Sequence, residues 1–359
     1  MADRPLHIGV DGRELVGQPT GVGRYIEGIL RAWTTDASFP HRVSVFLAST
    51  PPPRLGALGS RIEWVVDAAA HGGTLWEQTR LPRAMAAAGV DVFFAAGYTA
   101  PLRMPRPFVV AIYDVSFAAH PEWFSWREGL RRRWLTARAA RAAHSVITIS
   151  AFSAAEIVRC VGIDRARIRV APPGPPDARP VAATAREPVV LYVGSIFNRR
   201  HVPELVEAFA RVSRTQPAAR LVLVGANRTN PRIDPRAGAA AAVEWREYIE
   251  DAELDRLYAT ARVFAFLSDY EGFAMTPMEA LAHGVPSVLL DTPVAREVYG
   301  DGALLVPLDI GAVAAAIETM LTDEARREAT LDAGRRRMAQ LSWSQSAAVV
   351  RRALEDAAR

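Results

Sequence analysis

Short apolar runs, each ending in glycine or a polar residue, alternate along the chain with longer stretches of helical period. Parallel strands buried on both faces and covered by helices are written this way. In the first half the pattern predicts strands at residues 6–10, 43–47, 92–95, 109–113 and 146–149, a first helix at 21–33 and an arginine-rich helix at 127–143. Residues 171–180, Ala-Pro-Pro-Gly-Pro-Pro-Asp-Ala-Arg-Pro, sustain neither helix nor central strand, because proline lacks an N–H and fixes φ. They read as an interdomain linker. Beyond them the pattern restarts with strands at 189–193, 221–224, 263–267 and 287–290 and helices at 202–212, 252–260 and 277–282. The expected fold class is α/β, with two Rossmann-like, doubly wound parallel-sheet domains facing a cleft, so ligand-binding motifs are sought just after strands.

A length of 359 residues suits two domains of about 150–200 residues, each able to bury a core. All 43 basic residues are arginine, with 21 against 14 acidic residues in 1–175 and 22 against 25 in 176–359. The basic first half therefore suits an anionic acceptor or membrane better than the second does. Cys160 stands alone, which excludes an internal disulfide and any cysteine-cluster metal site and fits a reducing compartment. Residues 1–10 lack an apolar signal core, and no later run is long enough to cross a bilayer. The expected location is the cytoplasm, with peripheral contact at the inner face of the plasma membrane, and no nucleic-acid partner.

The first strand leads into Asp11-Gly-Arg-Glu-Leu-Val-Gly-Gln-Pro-Thr-Gly21-Val22-Gly23-Arg-Tyr25, a loop that opens a helix. Its N–H groups and the helix dipole suit a phosphate or sugar hydroxyl, although a tight turn needs the same glycines. The dinucleotide fingerprint fails, because Ile26 takes its third glycine position and no acid ends strand 43–47. Strand 109–113 ends at Tyr113-Asp114 and is followed by His120. Asp114 and His120 either orient an acceptor hydroxyl or cap a turn and face solvent. After strand 189–193 come Gly194-Ser195 and Asn198-Arg199-Arg200-His201. Glycine allows close backbone approach there, and paired guanidiniums grip a diphosphate without a metal, or else decorate the surface.

The densest signal is Glu271-Gly272-Phe273-Ala274-Met275-Thr276-Pro277-Met-Glu279. Pro277 reads as the first helical residue, which puts Glu271 in a loop and Glu279 in the first turn. Spaced so, the two acids address two ends of one ligand rather than form an acid/base dyad. Thr276-x-x-Glu279 also reads as a capping box, whereas Glu271 has no such local partner and reads as a ligand contact.

Together with Asp11-Gly-Arg, Thr20-Gly-Val-Gly-Arg-Tyr, Trp76-Glu-Gln, Asp114 with His120-Pro-Glu, Ser150-Ala-Phe-Ser, Tyr192-Val-Gly-Ser and Trp343, the Glu271-x7-Glu279 pattern resembles the signature of retaining glycosyltransferases of family 4. It looks like the branch that includes bacterial mannosyl- and rhamnosyltransferases. The resemblance implies the two-Rossmann fold called GT-B, with domains at 1–175 and 176–341 and helix 342–359 completing the first. It implies that Arg199 and Arg200 neutralise the donor diphosphate, that Glu271 and the backbone of 272–276 lie at the donor sugar, and that Glu279 holds the ribose. Gly21, Val22, Gly23, Gly194 and Ser195 would then flank the donor, Tyr248 and Ile249 its base, while Tyr113, Asp114 and His120 face the acceptor. The catalytic set so implied is Arg199, Arg200, Glu271 and Asp114. A nucleoside diphosphate sugar serves as co-substrate, no cofactor or metal is required, and the chain has no Asp-x-Asp sequence. The acceptor is a saccharide or lipid-linked hydroxyl in cell-surface glycan synthesis.

Tyr113 stands where the family usually has His, Arg200 where Lys is usual, Glu247 where Gly is common, and Ala274-Met-Thr where Gly-Leu-Pro is usual. The alternatives are an epimerase or phosphorylase on the same fold, or a non-catalytic sugar-nucleotide-binding subunit. The segment 127–141 offers Leu130, Trp134 and Leu135 to one face amid arginines. Such a helix either lies on an anionic bilayer or packs Trp134 into the core.

Overall fold

The computed structural model describes residues 4–17, 20–67, 73–176, 186–237 and 242–359. The chain divides into two compact units, Met1–Gly174 with Leu341–Arg359 and Pro175–Gln340. In the first, β1 (His7–Asp11), α1 (Gly21–Thr35), β2 (Arg42–Leu47), β3 (Ile62–Val66), α2 (Gly73–Thr79), α3 (Leu81–Ala88), β4 (Val92–Ala95), β5 (Phe108–Ala111), α4 (Ser116–Ala119), α5 (Trp126–Ala142), β6 (Ser145–Thr148), α6 (Ala151–Val161) and β7 (Ile168–Val170) follow in order. Its seven strands run in the order β3-β2-β1-β4-β5-β6-β7, and every pairing is parallel.

The second unit contains β8 (Val189–Val193), α7 (Val202–Thr215), β9 (Arg220–Val224), β10 (Val243–Arg246), α8 (Asp251–Thr260), β11 (Val263–Phe266), α9 (Met275–Ala282), β12 (Ser287–Leu290), α10 (Pro293–Val298), β13 (Leu304–Val306), α11 (Ile310–Thr322) and α12 (Glu324–Met338). Its order is β10-β9-β8-β11-β12-β13, again all parallel. Counted within each unit, the second sheet follows the 3-2-1-4-5-6 winding and the first extends it by a seventh strand. The order therefore reverses between β1 and β4 and between β8 and β11, where the crevice at the strands' carboxyl ends receives ligands in such sheets.

Four strands escape the sequence pattern, namely β3, β7, β10 and β13. All four are sheet edges. A charged residue interrupts the apolar run in Ile-Glu-Trp-Val-Val, Ile-Arg-Val and Val-Glu-Trp-Arg, and Leu-Leu-Val is only three residues long, two of them partly exposed.

The segment read as a linker is partly structured. Ala171 N–H donates to the Thr148 carbonyl, the Tyr25 hydroxyl to the Ala171 carbonyl, and the Ser346 hydroxyl to the Pro172 carbonyl. Residues 177–180 lie outside the described residues. Beyond the second unit, α13 (Trp343–Ala357) packs on the first. Trp33 Nε1 donates to the Ala347 carbonyl at 3.0 Å, and the Trp343 indole lies over Gly28 of α1 and against Gly174. A methyl group on Gly28 would stand 2.5 Å from that ring.

The structure departs from the sequence pattern at two helices, α9 and α5. Helix α9 starts at Met275, with Ala274 in the left-handed region (φ 63°) and no side-chain cap. Pro277 is therefore the third helical residue, the Thr276–Glu279 capping box does not form, and Glu279 falls in the second turn. The Tyr299 hydroxyl donates to the Ala274 carbonyl and holds this turn. On α5, Leu135 is buried while Trp134 is exposed, so the tryptophan does not enter the core.

Gly28→Ala should lose about 1–3 kcal/mol by overpacking against Trp343, despite alanine's better helix propensity. Urea unfolding of the purified variant measures it, and a stability equal to or above the parent's would contradict the packing described.

Candidate functional site

In the second unit β8 ends in Gly194-Ser195, and a short 3-10 turn at Asn198–Arg200 precedes α7. Gly194 has φ 144°, and a Cβ there would lie 2.9 Å from Arg200 Nη1, so glycine lets that side chain fold back under the strand end. From this position Arg200 reaches across to the loop after β11. Its Nε and Nη2 both meet Glu271 Oε1 at 2.8 Å, and Nη1 donates to the Ser195 carbonyl at 2.8 Å. Phe266 and Phe197 cover the guanidinium at 4.9 and 5.4 Å.

Side-chain exposure is 13% for Arg200 and 14% for Glu271. Burial on its own would lower the arginine's pKa, but Glu271 beside it more than offsets this and holds the cation above the ordinary arginine value. The Ser268 hydroxyl also donates to Glu271 Oε1, at 2.9 Å. Among the described residues no group donates to Oε2. One oxygen of this carboxylate thus anchors the arginine while the other stays open to accept from a ligand hydroxyl.

The neighbouring groups extend the same surface. Arg199 donates to the Tyr270 carbonyl and lies over Phe197 at 4.5 Å. His201, left-handed at φ 45°, meets Asp269 through Nε2 at 2.5 Å and Glu204 through Nδ1 at 3.1 Å. Burial would lower its pKa, and the two carboxylates more than reverse this, so the imidazole is held above its ordinary value. Gly272 and Phe273 are buried in the loop that enters α9. Because α9 has no side-chain cap, the N–H groups around Ala274, Met275 and Thr276 have no capping side chain to bind. Glu279, half-buried, takes the Tyr258 hydroxyl at 3.4 Å, and Tyr258 stacks on His283. After β10, Tyr248 is exposed while Ile249 is buried.

The first unit has a related arrangement at its own switch point. Asp11, ending β1, takes Arg13 Nε and Nη2, and the same Nη2 donates to Glu77 Oε1 at 2.9 Å. Thr99, after β4, donates to that Oε1 at 2.6 Å. Asp11 and Glu77 are buried, and Arg13 is held above its ordinary value because Asp11 and Glu77 outweigh desolvation. Thr20 caps α1 by accepting from Gly23 N–H, ahead of the exposed Gly21 and half-buried Val22. A Cβ on Gly23 would lie 2.3 Å from the Glu14 carbonyl.

Asp114 has both oxygens engaged, Oδ1 by Ser116 N–H and Oδ2 by the Tyr98 hydroxyl. Its turn-capping reading is therefore realised. Tyr113 is buried and donates to the Ala96 carbonyl at 2.8 Å, which directs its hydroxyl into the unit rather than toward an acceptor. Tyr98, left-handed at φ 67°, was not singled out in sequence; it is the phenol that reaches Asp114, and its place after Gly97 at a strand end was the available signal. Burial pushes both phenols well above the ordinary value, so they act as donors near neutral pH. His120 stacks on Trp123 at 4.0 Å and meets Glu122 at the surface.

Two family models match: Glycosyltransferase Family 4 over residues 19–179 and Glycosyl transferases group 1 over residues 177–337. The chain is 27% identical to the O-antigen chain mannosyltransferase B of Escherichia coli, over 70% of this chain and 71% of that protein. It is 29% identical to the MMP alpha-(1->4)-mannosyltransferase of Mycolicibacterium hassiacum, over 62% and 58% respectively. The crystal structure of Anabaena Alr3699/HepE in complex with UDP and glucose superposes with a TM-score of 0.75 at 18% identity, covering 98% of this chain and all of that one. This likeness extends the GT-B fold to both units.

His201 supplies a pH dependence. A histidine whose pKa is raised by folding contributes its full stabilisation below the unfolded value of about 6.5 and loses it as pH climbs through the higher folded value. The stability gap between parent and His201→Asn, from urea titrations, should therefore be larger at pH 5.5 than at pH 8.5 (both about one to two units from the unfolded value). An equal gap at both would contradict the pairing.

Proposed function

Because the chain belongs to glycosyltransferase family 4, we propose that it moves a hexose or deoxyhexose, of mannose or rhamnose type, from a nucleoside diphosphate sugar to a hydroxyl of a saccharide or lipid-linked acceptor. The transfer proceeds with retention and without a metal, in the synthesis of a surface polysaccharide. The observation that carries the reading is the Arg200–Glu271 pair across the β8/β11 switch point, with Glu271 Oε2 left open.

A single oxygen of Glu271, Oε1, takes both Nε and Nη2 of Arg200, and the guanidinium's remaining N–H groups suit phosphate oxygens. Glu271 thus keeps Arg200 oriented, in a water-poor pocket, for the diphosphate. Charge gathers on that diphosphate as the sugar leaves, and Arg200, Arg199 and the uncapped N–H groups opening α9 stabilise it without reorganising. Glu271 Oε2 accepts from a hydroxyl of the departing sugar, Glu279 from the ribose, and exposed Tyr248 offers a ring face to the base. No Asp-x-Asp sequence is present to hold a metal against the diphosphate, so the cationic work falls to arginine. Support for a mannose-type donor comes from the two mannosyltransferase relatives, and support for a uridine or related nucleotide from the UDP-bound neighbour.

A thermal-shift screen with UDP-, GDP- and dTDP-sugars, followed by transfer assays and NMR of the new anomeric centre, tests this. One donor should raise the melting temperature and be transferred with retained configuration in the presence of a chelator; inversion, or abolition by the chelator, would overturn the proposal. Arg200→Ala should lower kcat/KM by about 2–5 kcal/mol in transition-state terms, or roughly 30-fold to several thousandfold. Arg200→Lys should recover part of it, and unchanged kinetics would remove the diphosphate role.

A further inference from the structure

One face of α5 takes no part in the core or in either strand-end crevice. Trp126 (71% exposed), Leu130 (53%) and Trp134 (52%) recur every four residues, within about 80° of arc on a helix that turns about 100° per residue. Gly129, Leu135, Thr136, Ala139 and Ala140 are buried from another side of the same helix. The fold therefore anchors α5 without using its two tryptophans. Leu75 of α2, 76% exposed, lies next to Thr74, whose hydroxyl accepts from Arg131 at 2.9 Å. Isolated exposed apolar side chains are ordinary, but three large ones aligned along one helix face mark a contact surface.

Charge identifies the partner. Helix α5 carries six arginines and one acid, Glu128, which pairs with Arg132. By helical arc, Arg127, Arg131 and Arg138 flank the Trp-Leu-Trp stripe on one side and Arg133 on the other. Among the described residues no carboxylate forms an ion pair with these four. An apolar stripe bordered by guanidiniums is the layout of a helix lying in a membrane interface, with tryptophan rings at headgroup level and arginines on lipid phosphates. Nucleic acid would satisfy the arginines and leave Leu130 and Leu75 without an apolar phase. Among the described residues no helix is long and apolar enough to cross a bilayer.

We propose that this face docks peripherally on an anionic lipid bilayer, with α5 parallel to the membrane plane. If the acceptor is lipid-linked, a point that rests on the proposed function, enzyme and acceptor then meet on one surface. The docking itself does not depend on that reading.

The test is flotation of the full chain, at low salt, with vesicles of phosphatidylcholine alone and with phosphatidylglycerol added. The chain should float with the mixed vesicles and not with the neutral ones, with a blue shift of tryptophan emission. Trp126→Ala/Trp134→Ala should weaken partitioning at least about tenfold, and Arg131→Gln and Arg138→Gln about fivefold each, all with parental melting temperatures. Absence of binding, equal binding to neutral vesicles, or equal binding by the tryptophan variant would each overturn the proposal. So would capture by duplex RNA, or self-association without lipid, that is lost in the same variant.

Discussion

A guanidinium withdrawn from water costs several kcal/mol unless a carboxylate stands beside it, and each unit places one such cation at the carboxyl end of its first strand. Arg13 is clamped by Asp11 and Glu77, and Arg200 by Glu271 with Ser195 and Ser268 around it. Each clamp ties the loop after a first strand to groups near the strand beside it, across the point where the winding reverses. The glycines follow from this requirement, since a side chain on Gly194 would collide with Arg200. The winding opens a crevice at each switch point, and the ion pairs fix what faces it.

The interior of this architecture was legible in sequence because central parallel strands are apolar on both faces. The edges were not, since Glu63, Arg169, Glu244 and Arg246 break the run where one face meets solvent. Motif reading set Arg200 and Glu271 on loops that follow strands, but it did not pair them, because the ion pair joins residues far apart in sequence through the strand order. It failed where a long-range hydrogen bond decides backbone conformation. Thr276 and Glu279 are spaced as a capping box, but Tyr299, distant in sequence, holds Ala274 left-handed and moves the helix start. Tyr113 and Tyr98 show the same limit, because which phenol turns inward and which meets Asp114 depends on the backbone at residue 98.

The arginine-rich composition sorts into two populations once the structure is known. Arg13, Arg199 and Arg200 lie largely buried or packed against aromatic rings at strand ends, where their chemistry is local. The arginines of α5 stand on an outer face among exposed tryptophans. Arginine serves both settings because its charge survives burial and its flat group covers ring faces. Lysine at the buried sites would offer a point charge that titrates more readily.

Helix α13 gives the chain an order of assembly. The second unit is an insertion between β7 and α13, so the groove formed by Gly28, Trp33 and Gly174 stays unfilled until residues 343–357 have left the ribosome. During synthesis the first unit must wait with an apolar seam open while the second, contiguous in sequence, is free to finish first. Quality control in the cell would therefore meet the amino-terminal half as the late-maturing partner, although it is made first.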